Sequence, residues 1–289
     1  MFTRAARFIR SFSSSNNVNK LAENIATSIE GVDKKGISVL LSAVPELTKY
    51  SPQQWHQVTK LLATEGMETE KILAIIGGHP TILTRPSEKI VESLHCWRSC
   101  QFGDGNMQVL LSAHPCFLEY TNHRQLAQRV AFLHSHFETR KNVYKLFLNA
   151  PNLLVEEQHV TQEKITYLMQ TMRHEVLDVV KSYAFSYDLE HLRCRHTFLE
   201  RLGLFKPRSL KAAKTIPTGN PTLYQILDTS DKRFAVKVAY VTLEEYEVFQ
   251  ELFRREIEQR DDYETEIDIY DSDETEIEPS RESYRKKHR

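Results

Sequence analysis

The chain has 289 residues, of which 40% are hydrophobic and 10% aromatic, so it holds enough apolar material for a globular core. Four irregularly spaced cysteines exclude the disulfide framework of a small secreted domain, and no apolar run approaches the ~20 residues of a membrane-spanning helix. The net charge of −1 hides an asymmetry: residues 256–289 carry 13 acidic and 6 basic side chains, which leaves 32 basic and 26 acidic ones to the rest. A basic body with an acidic tail favours a charged partner such as nucleic acid.

The first twelve residues are basic and contain no acid. Arg4, Arg7 and Arg10 are spaced three apart, so they share one helical face, and a serine-rich stretch follows. This composition is typical of a mitochondrial transit peptide, so we predict that residues 1–12 form one and that the mature protein lies in the mitochondrial matrix. The alternative is a disordered basic arm of a cytosolic protein. Residues 13–33 are mostly polar and are predicted to be a linker or a frayed helix.

A short phrase recurs four times in the next part of the chain: an apolar pair or triplet, two or three other residues, a proline, and further apolar residues. The prolines lie 35, 35 and 36 residues apart, and a fixed period of this length predicts a stacked array of structural repeats. They are Pro45, Pro80, Pro115 and Pro151.

Each unit is predicted to contain one helix that ends at the proline, a 3₁₀-like turn, and a second helix, because apolar residues at helical spacing follow every proline. The fold class is therefore an all-α helical repeat solenoid of about 35-residue units over residues 34–257. In the fifth unit Ser182 or Ser186 stands where a proline would be expected, which leaves the register of the later repeats open. We attribute the glycine pair Gly77 and Gly78 to close helix packing.

Two helical segments, 222–238 and 242–257, precede an acidic tail with a basic end, residues 258–289, which is predicted to be disordered. Their apolar stripes admit two interpretations: the core of a C-terminal cap, or a docking face for a partner protein. The stripe residues are Leu223, Ile226, Leu227, Phe234, Val238, Tyr246, Phe249 and Phe253.

No catalytic motif appears in the sequence, which contains no P-loop, no dinucleotide-binding glycine pattern and no nucleophile elbow. His95, Cys96 and Cys100 have no second cysteine pair at zinc-site spacing. We therefore expect a protein that is not an enzyme and has no catalytic residues, cofactor or metal.

Basic residues cluster late in the chain, with seven cations between positions 193 and 214 against one acid, Glu200. Arginine and lysine in such a cluster suit phosphate groups, and equivalent positions of earlier repeats add to a stripe along the array. The alternative is an ordinary solvated surface. The candidate nucleic-acid-binding residues are Arg193, Arg195, Arg201, Lys206, Arg208, Lys211, Lys214, Arg85, Arg124 and Arg129.

The proline phrase, combined with a late motif that runs from Phe185-Ser186-Tyr187 to Leu202-Gly203, resembles the mitochondrial transcription termination factor (mTERF) family. The resemblance spans about residues 34–257 and implies a curved half-ring with a basic concave side and a partner face at the C-terminal helices. The late motif is most similar to one animal member of that family. That similarity implies binding to ribosomal RNA and recruitment of a Sun-family RNA cytosine-5 methyltransferase during assembly of the mitochondrial large ribosomal subunit, in support of mitochondrial translation.

Two alternatives remain open at the level of sequence. A regulator of mitochondrial transcription or its termination would use the same basic residues on double-stranded DNA. A pure protein scaffold would bind without the steep salt dependence that phosphate contacts impose.

Overall fold

The structure, a computed structural model, describes residues 20–27, 34–209 and 218–273, with side chains up to residue 259. Every regular element within these ranges is helical and none is a strand, which confirms the all-α prediction. The chain forms two compact units, one up to Leu189 and one from Glu190. The predicted transit peptide, residues 1–12, lies outside the described part. Helix α1, residues 20–27, buries Ala22 and Ile25, so the predicted linker is helical in its middle.

The first unit contains the four proline-bearing repeats and the start of a fifth. The repeats consist of α2 (Lys34–Ala43) and α3 (Pro52–Thr64), α4 (Thr69–Gly78) and α5 (Ser87–Arg98), α6 (Asp104–Ala113) and α7 (His123–Phe137), α8 (Arg140–Asn149) and α9 (Gln158–Thr166), and then α10 (Val176–Lys181).

A 3₁₀ turn joins the two helices of each repeat. Each turn begins at the repeat proline, because proline lacks the N–H that would continue the preceding helix and restricts the residue before it. The predicted unit of helix, 3₁₀ turn and helix is confirmed in all four copies. The turns are Pro45–Lys49, Pro80–Thr84, Pro115–Glu119 and Pro151–Leu154.

The repeats of the first unit stack in register. The first helices α4, α6, α8 and α10 contact one another in succession, and the second helices α5 and α7 also meet. Each of α3 and α5 packs on the 3₁₀ turn of the following repeat. In the α5 contact, Trp97 stacks on Phe117 with ring centroids 4.8 Å apart and donates its indole N–H to the Phe117 carbonyl at 2.9 Å.

The glycine pair at the end of α4 is explained by this stacking. A Cβ on Gly77 would lie 2.8 Å from Cδ1 of Leu40, and one on Gly78 would lie 2.9 Å from Cγ of Pro115. At these distances a side chain at either position would require Leu40 or Pro115 to move. The two glycines therefore serve packing between neighbouring repeats.

The fifth repeat forms its 3₁₀ turn, residues 184–186, without a proline. Side-chain hydrogen bonds between this turn and the fourth repeat hold it instead. Asn152 donates its Nδ2–H to the Phe185 carbonyl at 2.8 Å, and Ser186 donates its hydroxyl to the Asn149 carbonyl at 2.9 Å. Asn149 in turn donates to carbonyls at the end of α10. Side-chain hydrogen bonds thus replace the backbone restriction that proline supplies in the other turns.

A buried ion pair supports the same turn. The ammonium of Lys164 is 2.5 Å from Oε1 of Glu156 and 3.5 Å from the Phe185 carbonyl, and Lys164 is only 2% exposed. Thr161 donates to the other oxygen of Glu156 at 2.9 Å. Because a buried charge is tolerated only with a partner and hydrogen bonds, these groups depend on one another.

The second unit is built from α11 (Leu189–Arg201), α12 (Leu223–Leu227), α13 (Asp231–Phe234), a π turn (Ala235–Ala239) and α14 (Leu243–Asp273). Its core is aromatic: the Phe198 ring lies 4.6 Å from that of Phe249 and 5.1 Å from that of Tyr246, and Phe234 lies 4.9 Å from Tyr246. The residues predicted as a docking face supply most of this core.

That docking prediction is wrong for these side chains, because each is at most 8% exposed. They cover one another, which is the alternative interpretation of a C-terminal cap. The residues concerned are Leu223, Ile226, Leu227, Phe234, Val238, Tyr246, Phe249 and Phe253.

The predicted end of the array at residue 257 is also corrected. Helix α14 continues to Asp273, so residues 258–273 are helical rather than disordered. No glycine or proline occurs between Leu243 and Asp273, so nothing in the backbone interrupts the helix. Residues 274–289, the rest of the predicted tail, lie outside the described part.

Candidate nucleic-acid interface

Arg195 is a structural residue of the second unit, and its prediction as a phosphate contact is wrong. It is 1% exposed, and its Nη1 donates to the carbonyls of Ile226 at 2.7 Å and Leu227 at 3.2 Å. Its Nη2 binds Asp231 at 2.6 Å, and the guanidinium lies 4.6 Å from the ring centre of Phe234. The cation therefore caps the C-terminal end of α12, where it also meets the negative end of the helix dipole.

Arg201, the last residue of α11, is exposed but already has partners. It forms a two-pronged ion pair with Glu256 at 3.0 and 2.6 Å and lies 5.3 Å from the ring centre of Phe249. Arg–carboxylate hydrogen bonds raise the pKa of Arg201. This arginine ties α11 to α14, and a phosphate would have to displace Glu256.

The rest of the late basic cluster is only partly accessible in the described residues. Arg193 and Lys206 are exposed and Arg208 is half-buried. The backbone of Lys206 is fixed by Asn220, which accepts from its N–H at 3.0 Å and donates to its carbonyl at 2.8 Å. Lys211 and Lys214 lie outside the described residues.

In the first unit the three predicted arginines differ in their surroundings. Arg85 is half-buried and donates to the Glu119 carbonyl of the next repeat at 3.1 Å, so it joins neighbouring repeats. Burial lowers the pKa of Arg129, while the nearby Tyr120 and Glu156 act in the opposite direction. Arg124 is exposed at the start of α7. Of the three, Arg124 is the side chain best placed to meet an external phosphate.

A second group of cations, which is not among the predicted residues, lies on α13 and the π turn. Lys232, Arg233 and Lys237 are exposed, as are Val236 and Tyr240, and the three cations have no side-chain partner among the described residues. We call these five residues the basic surface. In the sequence this group is visible as three cations within six positions, with no acid between them.

The outward side of α14 has the opposite character. Glu244 and Glu247 are exposed there beside the apolar side chains of Val248 and Leu252, which are 61% and 50% exposed. We call these four residues the acidic surface. Because the residues of α14 that pack inward are buried in the core, this outward stripe is what the helix offers to a protein partner.

The described residues contain no obvious reaction centre. Burial raises the pKa of the Cys100 thiol to about 12 and that of Cys194 to about 11, so neither is a thiolate at neutral pH. Within the described part of the chain, no three His, Cys, Asp or Glu side chains are grouped to hold a metal ion. In the same part, no helix combines the length and apolar character needed to cross a bilayer.

Comparison with known proteins agrees with the repeat architecture. The sequence model of the mTERF family matches residues 3–235. The chain is 26% identical over 207 residues to transcription termination factor 4, mitochondrial, of Mus musculus, an alignment that covers 71% of this chain and 59% of the mouse protein. It is 27% identical over 108 residues to transcription termination factor 1, mitochondrial, of Homo sapiens and of Pongo abelii, covering 37% of this chain and 27% of each relative. The chain thus spans less than two thirds of the length of these relatives.

Proposed function

Because the chain belongs to the mTERF family, a family of mitochondrial nucleic-acid-binding proteins, we propose that it is a non-enzymatic RNA-binding protein of the mitochondrial matrix. It binds ribosomal RNA and brings to it a Sun-family RNA cytosine-5 methyltransferase during assembly of the mitochondrial large subunit. Mitochondrial translation then depends on it indirectly.

The observation that carries the RNA-binding part is charge. Residues 1–255 hold 32 basic and 26 acidic side chains, and exposed cations such as Arg124 and Lys206 have no carboxylate partner among the described residues. Cations that are not neutralised within the protein attract phosphates and release counterions when they bind them. A helical array suits this use, since it repeats equivalent surface positions along its length.

The recruitment part is supported by the acidic surface. An enzyme that acts on RNA needs a basic surface of its own, so an acidic helix with exposed Val248 and Leu252 complements it in charge and offers an apolar contact. This surface replaces the buried stripe as the proposed docking face.

RNA binding is tested by titrating the full chain with ribosomal RNA fragments at several salt concentrations. The expected result is a steep loss of affinity with salt, and R124A or K206A should each reduce the slope of log K against log [salt] by about 0.7 if that residue contacts a phosphate of a single strand. An affinity that does not change with salt would contradict the proposal and support a pure protein scaffold.

Recruitment is tested by co-purification of the methyltransferase from a matrix extract. Deletion of residues 222–257 would remove the core of the second unit, so surface substitutions are the sharper probe. V248D/L252D should lose the enzyme and retain RNA, whereas R254Q/R255Q, exposed on the same helix, should retain both. Retention of the enzyme by V248D/L252D would rule out this docking face.

A second candidate is a double-stranded DNA-binding regulator of mitochondrial transcription or its termination. It is favoured by the names of the relatives, which are mitochondrial transcription termination factors. Binding of ribosomal RNA and of promoter or terminator duplex at matched salt separates the two, and preference for the duplex would overturn the RNA proposal.

A further inference from the structure

The basic surface of the second unit carries three exposed cations that lie outside the buried core of the C-terminal cap. Lys232, Arg233 and Lys237 lie within six residues, are exposed, and have no side-chain partner in the described part of the chain. Asp231, the acid beside them, is already bound to the buried guanidinium of Arg195 at 2.6 Å. The three positive charges therefore remain available to an anionic ligand.

Tyr240 occupies a position that favours glycine. It ends the π turn in a left-handed conformation with φ 59° and ψ 35°, and its N–H donates to the Ala235 carbonyl. Glycine at such a helix end adopts this conformation without the steric cost that a side chain adds. The tyrosine at this position carries that cost.

The side chain of Tyr240 gives no packing in return, because the residue is 77% exposed. Other residues with side chains also have a positive φ, among them Gln101 and Glu138. Backbone conformation alone therefore does not distinguish Tyr240. Tyr240 is distinguished by its exposed aromatic ring, which follows three unneutralised cations in the sequence.

Cations next to an exposed ring are the elements of a site for single-stranded nucleic acid. The cations follow the phosphates, and the ring supplies a platform on which a base can stack regardless of its identity. The acidic surface on α14 has the opposite charge, so the two surfaces of this unit suit different partners.

We propose that the basic surface is a contact site for single-stranded RNA, in which Lys232, Arg233 and Lys237 bind consecutive phosphates and Tyr240 stacks on an unpaired base. The inference deepens the proposed RNA-binding function and rests on it. In this arrangement the second unit binds RNA through α13 and the π turn, and it binds the methyltransferase through α14.

The test measures binding of a fluorescein-labelled single-stranded RNA by anisotropy over a salt series, with the full chain. The variant K232Q/R233Q/K237Q should weaken binding and reduce the slope of log K against log [salt] by about 2, since each phosphate contact contributes about 0.7. Y240A should weaken binding roughly five- to hundredfold, and Y240F, which keeps the ring, should bind like the parent.

Two controls separate the site from general charge and from misfolding. R254Q/R255Q removes two cations from the same unit, but these side chains are held by Glu251, so it should bind RNA like the parent. Photocrosslinking of 4-thiouridine RNA to the unaltered protein should modify the peptide that contains Tyr240, a readout that needs no variant.

Three results would overturn the inference. If the triple variant and Y240A bind RNA like the parent, the surface is not an RNA site, although the proposed function stands. If they lose the methyltransferase but not RNA, the surface belongs to a protein partner. If the parent itself does not bind RNA, the proposed function fails and this inference fails with it.

Discussion

Replacing Arg195 by methionine tests whether this arginine holds the second unit together. Methionine fills similar space but leaves the carbonyls of Ile226 and Leu227 without their donor and removes the cation next to Phe234. Asp231 is half-exposed, so water can solvate it once it is released. Loss of one partner from a buried charged network costs about 3–5 kcal/mol, and the solvated carboxylate places R195M near the lower end, at about 3 kcal/mol.

The matched control is R201M, six residues further along the same helix. Its pair with Glu256 is about half exposed on both sides, so solvent screens it and the expected cost stays below ~1 kcal/mol. The assay is chemical denaturation, combined with hydrogen exchange of peptides from residues 190–257. R195M should lower the free energy of unfolding and speed exchange in α12 and α13. Unchanged exchange and an unchanged free energy of unfolding in R195M would refute the reasoning.

The remaining predictions concern packing, pH and thiol chemistry. Gly78→Ala should destabilise the protein by about 1–3 kcal/mol, because its Cβ meets the rigid ring of Pro115. Gly77→Ala should cost less, since its neighbour is the movable end of the Leu40 side chain. Thermal unfolding ranks the two variants, and equal losses of stability would contradict this account. Burial lowers the pKa of His174, so the unfolded state binds a proton first and stability should fall as pH drops below about 6.5. Unfolding measured from pH 7.5 to 5 should show a smaller loss of stability in His174→Gln. An equal loss in the variant would contradict this role of His174. Cys116 is the one exposed cysteine among the four. A thiol reagent at pH 8 should therefore modify one cysteine quickly in the folded protein and all four in denaturant. Rapid modification of a second thiol in the folded protein would show that the core opens.

The repeat architecture was predictable because proline acts locally. A proline cannot continue a helix that precedes it, so Pro45, Pro80, Pro115 and Pro151 marked four turns, and apolar residues at helical spacing marked the helices on either side. The turn at residues 184–186 could be expected from the period only, since its hydrogen-bond partners lie 33 and 37 residues earlier in the sequence. No local pattern reveals such a partnership.

The candidate site was less predictable, because charge in a sequence does not reveal burial. Arg195 and Arg201 look alike in a basic run, yet one caps α12 inside the core and the other pairs with Glu256. Likewise, Tyr246 lies on an amphipathic stripe that fits a core and a docking face equally well. Only the packing of α11 against the later helices decides between these outcomes.

The way the fifth turn is held has a consequence for the order in which the protein forms during synthesis. A proline turn carries part of its restriction in its own residues, because the proline ring fixes φ and lacks the N–H that would continue the helix. The turn at residues 184–186 instead borrows donors and acceptors from Asn149, Asn152 and the Glu156–Lys164 pair, which must already be in place. Growth of the array is therefore directional at this point: the fourth repeat serves as the template on which the fifth is completed.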